Sequence, residues 1–516
     1  MKIYTSENIK ALEKLSVEKG TSMAELMTCA GNAVADAVLG EFPSVQGKKL
    51  VILCGKGNNG GDGYVCANRL FESNALVRVV LLQGPPATEL AMNAFKELYS
   101  AIPVHDFCEE NEDGKADILS YIADADIIVD GIFGFGFKGA VRGYLTDIIK
   151  AVNASDAFKL AIDVPSGVCC DSGEVLGEAV KADFTVTFTA PKPAFFIEPG
   201  KSHCGKFKVA SVGIDGEDIK NMPTDYAVLT DADAKKLMLT KKSDSNKGSF
   251  GKLVIVCGSM GMIGACIMCA KGALRSGVGL VNIVVTKDIY PLIAPTLPEP
   301  IFTVLDFENL DAKKKSFEKL TYALSSASAV VMGCGLGELA EKYVPLILEN
   351  CVCPILLDAD ALNYISKHMG LLENRNYPII VTPHPGEMSR LTGKEIKEIQ
   401  SHRLETAKEF SEKYGVITLL KGSGTVVCSP DEGVSTHINI SGNAGMAKGG
   451  SGDVLSGIIG SLAAQGLSPE KAAVLGAFVH GKAGDLAAET LGKTAMLPTD
   501  LIEYLPKVYS YLEQKE

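Results

Sequence analysis

Apolar residues along the chain fall into two kinds of run that take turns. The stretch "KKLVILCGKGNNGGDGYVCANRLFES" opens on an unbroken apolar segment, passes through glycines and closes with apolar positions at helical spacing. "GKLVIVCGSMGMIGACIMCAKGALRSG" repeats that pattern in the second half. Each predicts a strand, a glycine loop and a helix. Further apolar runs follow each one: "VRVVLLQG", "IIVDGIFG", "KLAIDVPSG", "FTVTFTAPK" and "FKVASVGI" in the first half, then "VNIVVT", "AVVMGCG", "PILLDADA", "YPIIVTPHPG" and "VITLLKG". Strands without polar alternation are buried on both faces, as in parallel sheets covered by helices. Two opening units, each heading its own series, predict two α/β domains rather than one very large sheet. Between them "DGEDIKNMPTDYAVLTDADAKKLMLTKKSDSNKGS" is polar and weakly periodic. It places the boundary near Pro223, with domains over 1–222 and 223–516. The opening "MKIYTSENIKALEKL" has the pattern of an amphipathic helix with interspersed charges.

Composition narrows the class. The 516 residues are 47% hydrophobic and 22% charged, the balance of a globular protein, and their number suggests more than one domain. A net charge of -12 argues against a broad grip on nucleic acid, while leaving room for a local basic pocket. The first residues lack a signal-peptide apolar region, and no run reaches the roughly 18 apolar residues of a membrane span. The 14 cysteines are scattered, several inside apolar strands, so a reduced, cytoplasmic protein is expected. Cys266 and Cys269 form a C-x-x-C in mid-helix without thioredoxin-like flanks, which favours packing over redox chemistry.

The first glycine loop, Gly55, Gly57 and Gly60, matches G-x-G-x-x-G and suggests a Rossmann-like dinucleotide loop. Yet the following strand ends in Gln83 rather than an acid, and the loop carries Asn58, Asn59 and Asp62. Asp62 is open to two readings, a helix cap or a site residue. Asp130, Asp163 and Ser166 stand at further strand ends, where open α/β sheets bind ligands, and their oxygens suit a hard cation.

The second half has no P-loop. Instead "GGSGDVLSG" lets successive backbone N–H groups converge at a helix start, with Gly452 and Asp453 in the turn. An anion could dock there while Asp453 takes a proton from an attacking hydroxyl; the other reading of Asp453 is an N-cap. His384 and Glu387, Lys421, Asp358, Asp360 and Asn363, and Asn439 and Asn443 follow other apolar runs. His384, between two prolines, is expected in a loop.

"GKGNNGGDGY", "VDGIFGFGFKG", "AIDVPSG" and "APKPAF" together resemble the epimerase domain of the NAD(P)H-hydrate repair enzymes, over most of residues 1–222. The resemblance implies a potassium ion on Asn59, Asp130 and Ser166. It implies substrate contacts from Asn58, Asn59, Gly60, Gly61 and Asp62, from Gly134, Phe135, Gly136, Phe137, Lys138, Gly139 and Ala140, and from Asp163, the expected acid/base group. Lys192 is left between a wall or charge partner and an exposed lysine.

The glycine–Asp helix start resembles the anion hole of ribokinase-like enzymes. With "LLDADALN", "TPHPGEM", "LKGSGT" and "NAGMAKGGSGDVLSGII" it is similar to the NAD(P)H-hydrate dehydratase branch, over roughly 223–510. The implied fold is a Rossmann-like three-layer sandwich followed by a ribokinase-like doubly wound sheet. The implied substrates are the small molecules NADHX and NADPHX, with ADP as co-substrate and magnesium near Glu387 or Asn363. Hydrate contacts would be Ala265, Gly335, His384 and Asp453. Nucleotide contacts would be Lys421, Gly422, Ser423, Gly424, Thr425 and Gly452. A homo-oligomer is expected, with no nucleic-acid or membrane partner. A ribokinase-like vitamin-precursor kinase behind a non-catalytic binding domain stays open as the alternative, as does ATP in place of ADP.

Overall fold

Burial along whole strands builds this molecule. The computed structural model describes residues 1–107, 112–239, 245–373, 375–430 and 434–514, so part of the polar segment predicted to join the domains, 240–244, lies outside the described residues. The chain divides into two compact units between Tyr226 and Ala227, with Met1 grouped in the second.

The first unit carries a seven-stranded sheet. Its strands are β1 (Lys49–Cys54), β2 (Leu76–Leu81), β3 (Val104–Asp106), β4 (Ile127–Gly131), β5 (Phe158–Ile162), β6 (Phe184–Phe188) and β7 (Lys206–Ala210). They lie in the order β3-β2-β1-β4-β5-β6-β7, all parallel. Successive residues of one apolar run feed opposite layers. Ile52, Val79 and Val129 pack with Val34, Val38 and Leu70, whereas Val51, Leu53 and Ile128 pack with Ile148, Ile149 and Val152. Helices therefore cover both faces, and the expected three-layer sandwich is present. The covering helices include α1 (Ser6–Glu18), α2 (Met23–Glu41) and α3 (Asn58–Glu72), the first two started by capping boxes at Thr5 and Ser22. Strand order reverses between β1 and β4, which opens a crevice at their carboxyl ends.

In the second unit β8 (Lys252–Val256), β9 (Leu280–Thr286), β10 (Ile301–Leu305), β11 (Ala329–Met332), β12 (Ile355–Leu357), β13 (Ile379–Val381) and β14 (Ile417–Leu420) are parallel, in the order β14-β13-β12-β11-β8-β9-β10. Two short antiparallel strands, β15 (Val426–Cys428) and β16 (Thr436–Ile438), extend the β14 edge. The core gathers Leu253, Ile255, Val331 and Leu356 under α4 (Ile263–Arg275), α6 (Ser451–Ala464) and α7 (Pro469–Ala495). The remaining helix of the site, α5 (Pro385–Thr392), follows β13. Among the described residues no helix is long and apolar enough to cross a membrane.

Candidate functional sites

In the first unit, α3 starts at Asn58, so Asn58 to Asp62 form the first turn and a half of a helix rather than a free loop. A Cβ at Gly60 would lie 2.1 Å from the Gly55 carbonyl oxygen, which is why this tight start needs glycine. The helix is capped by Gly57 without a side-chain bond. Asp62 is therefore no cap: it is buried inside the helix, and burial, then Asp163 and Glu13, push its carboxyl well above the usual range.

Asp130 ends β4 almost fully buried. Its carboxylate accepts from the Ser166 N–H at 2.8 Å and the Ser166 hydroxyl at 2.6 Å, and Phe133 N–H donates to that hydroxyl at 2.9 Å. Burial outweighs these bonds and pushes the Asp130 carboxyl up to about 6. The Asn59 side chain packs on Gly134, and its buried Nδ2 has no partner among the described residues. The Ser166 hydroxyl also lies 3.4 Å from the Phe133 carbonyl, so Asp130, Ser166 and Phe133 gather oxygens of the kind a hard cation takes, whereas the unpaired Asn59 Nδ2 is a donor and adds no ligand.

Asp163 follows β5 with a left-handed φ of 64°, uncommon for a residue other than glycine. Its Oδ1 accepts from Lys192 Nζ at 2.6 Å and from the Thr187 hydroxyl at 3.2 Å, while its buried Oδ2 has no partner among the described residues. Lys192 is wholly buried and gives its remaining donors to Thr187 Oγ1 and the Phe188 carbonyl. This corrects the exposed-lysine reading: the ammonium compensates the buried Asp163 charge.

Asn59, Asp62 and Asp163 border a cavity of about 630 Å³, whereas Asp130, Ser166 and Lys192 do not line it. Asn58, Asn59, Asp62, Gly134 to Lys138 and Asp163 line it, whereas Gly60, Gly61, Gly139 and Ala140 do not. Sequence reasoning missed the wall made by α1 and α2, with Lys10, Glu13, Met23 and Met27, and missed Thr88, whose hydroxyl donates to Asn58 Oδ1 at 2.6 Å. The amphipathic pattern of α1 was the available signal, but it does not say which polar residue faces a ligand.

In the second unit, α6 starts from Gly450, at φ 106°, where a Cβ would meet Met268 Cε at 2.6 Å. No side chain caps this helix, so the N-cap reading of Asp453 fails; Asp453 is its third residue. The first-turn N–H groups have no intrahelical carbonyl to bond and suit an anion. A Cβ at Gly452 would lie 3.4 Å from Lys421 Nζ and 3.8 Å from Asp358 Oδ2, so the helix start faces that ion pair. Asp358, after β12, is buried; it takes Lys421 Nζ at 2.7 Å on Oδ1 and the Ser456 hydroxyl at 2.8 Å on Oδ2. Burial, with Cys334 and Asp358 adding to it, pushes the Asp453 carboxyl up to about 8, against the pull of Lys421.

His384 is the N-cap of α5 and half exposed, at a strand-to-helix junction. Its Nδ1 accepts from the N–H groups of Gly386 and Glu387, which leaves Nε2 as the donor of the neutral ring. Glu387 lies 3.7 Å from Lys421 Nζ. A Cβ at Gly335 would come within 3.0 Å of the Ala265 Cβ, so these two expected hydrate contacts are neighbours.

After β14, Gly422 (φ 149°) and Gly424 (φ 65°) form the predicted turn, with Thr425 Oγ1 donating to the Gly422 carbonyl. Ser423 is exposed. Arg403, unmarked in the sequence, is buried behind this turn and donates to the Leu420 and Lys421 carbonyls. Asn363 Oδ1 accepts from Arg390 at 3.0 Å. Asn439 and Asn443 donate to Ala477, Gly484 and Asp485 and serve to tie their loop down. Cys266 and Cys269 are free, buried thiols, in keeping with the packing reading, and Cys269 groups with the buried Cys257 and Cys334.

A doubly wound sheet whose glycine-rich helix start meets a buried Lys–Asp pair at the carboxyl edge defines a ribokinase-like unit, here preceded by a Rossmann-like one. A ribokinase-like superfamily protein of Enterococcus faecalis V583 is a solved neighbour at TM-score 0.50 and 25% identity, covering 56% of this chain and 98% of that one. An ADP/ATP-dependent NAD(P)H-hydrate dehydratase from Bacillus subtilis, co-crystallized with ATP/Mg2+, gives a TM-score of 0.48 at 31% identity, over 55% of this chain and 98% of that one. The family described as NAD(P)H-hydrate dehydratase matches residues 253–507, and that described as YjeF-related protein N-terminus matches 23–194. The bifunctional NAD(P)H-hydrate repair enzyme Nnr of Moorella thermoacetica is 36% identical, covering 100% of this chain and 98% of that protein. The Escherichia coli K12 enzyme of that name is 34% identical over 98% and 93%. The chain belongs to the family of bifunctional NAD(P)H-hydrate repair enzymes, which displaces the vitamin-kinase alternative.

Proposed function

We propose that the two units carry successive steps in the repair of hydrated nicotinamide cofactors. The first interconverts the R and S forms of NAD(P)H hydrate. The second dehydrates the S form with ADP or ATP as phosphoryl donor and magnesium, ADP leaving as AMP and phosphate. The observation that carries the second step is the place of Asp453 in the uncapped first turn of α6, whose Gly452 faces the Asp358–Lys421 pair, with burial raising its carboxyl to about 8. Such a group takes the ring hydroxyl's proton as that oxygen attacks the terminal phosphorus. The ring nitrogen then pushes electrons toward the phosphate on carbon, which leaves, and loss of a proton from the adjacent carbon restores the dihydronicotinamide. Lys421 and the first-turn N–H groups of α6 stabilise the transferred charge. Glu387 is the residue that would reach magnesium through water.

In the first unit Asp163 Oδ2 is the acid/base atom, with Lys192 fixing the carboxylate. Asn59, Asp130 and Ser166 would hold a potassium ion, which would supply positive charge beside the buried Asp130 and a docking point for substrate oxygen. Exchanging potassium for a large organic cation should slow R-to-S conversion.

The test mixes the protein with R and S NADH hydrates, ADP, magnesium and potassium, over a time short against spontaneous epimerisation. Full recovery of NADH absorbance supports both activities. Recovery of half supports dehydration alone, and no recovery overturns the dehydratase reading.

A further inference from the structure

We infer that Glu13 is a second proton-transferring residue of the first unit's cavity, acting with Asp163 on the hydroxylated ring carbon. The inference rests on the epimerase reading and adds a residue to it. Glu13 stands on α1, a helix that reads from sequence as an ordinary amphipathic cover, yet its side chain lines the same cavity as Asp163. The helix is held there firmly. Asp171 accepts from both the Ser6 N–H and the Ser6 hydroxyl at 2.6 Å, Tyr4 N–H donates to the Pro191 carbonyl beside Lys192, and Ile9 and Leu12 are buried. Glu13 has no hydrogen bond or ion pair among the described residues, unlike Asp163, which Lys192 neutralises. The charged groups facing it are Asp163 after β5, Asp62 of α3, Lys192, and Lys10 of its own helix. Burial and then Asp163 raise the Glu13 carboxyl, against Lys192 and Lys10. The cavity thus offers one carboxylate with a fixed counter-charge and one carboxyl biased to keep its proton.

Inversion at a carbon bearing both nitrogen and hydroxyl needs this difference. Glu13 gives its proton to the departing hydroxyl, the C–O bond breaks, water leaves, and the ring nitrogen's electron pair forms a C=N bond. A water adds to the other face, the C=N pair returns to nitrogen, and Asp163 Oδ2 takes the added water's proton. Atoms and charge balance, and the return reaction exchanges the two roles.

The test uses the full chain without nucleotide, so that dehydration is silent, and follows pure R hydrate by separating the epimers, with the spontaneous rate subtracted. We expect Glu13→Gln to lower kcat about 100-fold with KM within about threefold. The high-pH limb of the kcat profile, where Glu13 loses its proton, should disappear. Glu13→Asp should keep that limb. Dehydration of pure S hydrate with ADP should stay at the parent rate, and an unchanged melting transition of fragment 1–226 carrying Glu13→Gln verifies that its own unit is folded. A Glu13→Gln kcat within about threefold of the parent, or a lost rate with the limb unchanged, would overturn the inference. A parent chain that never interconverts the epimers would remove the epimerase reading together with it.

Discussion

Asp163 and Lys192 are 29 residues apart in sequence and share one buried ion pair at 2.6 Å. Removing one member of such a pair strands the other charge, at a cost of about 3–5 kcal/mol. Lys192→Met should therefore lower the first unit's melting temperature, and adding Asp163→Asn should restore much of it; an unchanged melting temperature in the single variant would contradict the pairing argument. This role was not legible in "APKPAF", because only the fold brings Thr187, Phe188 and Asp163 around the ammonium. Glu13 and Arg403 were silent for the same reason. The helix start that bears Asp453 was legible, since its glycines and its acid lie in one stretch. Its titration makes a second prediction. Folding raises its carboxyl from about 4 in an unfolded chain to about 8, so the folded state holds the proton more tightly. The stability it contributes is complete below the unfolded value and is lost as pH rises through about 8. The base works only when deprotonated, so kcat/KM for S-hydrate dehydration should rise with pH through the same region, and a flat profile there would exclude Asp453 as the base.

Helices α4 and α6 hold Asp453 in place through close contact. A Cβ at Gly457 would lie 2.0 Å from the Cys269 carbonyl oxygen, and one at Gly272 would lie 2.7 Å from that of Val454. Gly457→Ala gains about 1 kcal/mol of helix propensity, but a backbone carbonyl cannot turn aside, and overpacking costs about 1–3 kcal/mol with displacement of the helix. The variant should melt lower and dehydrate more slowly; equal stability and rate would show that the contact is loose. Long apolar runs such as "KLVILC" and "LVIVC" made their strands legible, and so did the strand ends bearing Asp358, His384 and Lys421. The strands Val426–Cys428 and Thr436–Ile438 were not, because three residues carry too little periodicity to stand out from a loop.

Each unit has its own core, so each activity should survive separation. Fragments 1–226 and 227–516, expressed apart, should epimerise and dehydrate respectively; two unfolded fragments by circular dichroism would contradict this. The polar stretch around Pro223 made the division legible, while the cavity and the Asp358–Lys421 cluster needed strands from distant parts of the chain to meet. The central claim, two chemistries with Asp453 as the base of one, comes down to one purified variant. Asp453→Asn keeps the side chain's size and removes its basicity. Its dehydration of S hydrate with ADP should fall about 100-fold or more, while its conversion of R to S hydrate continues at the parent rate. Near-parental recovery of NADH from the S hydrate by this variant would contradict the account.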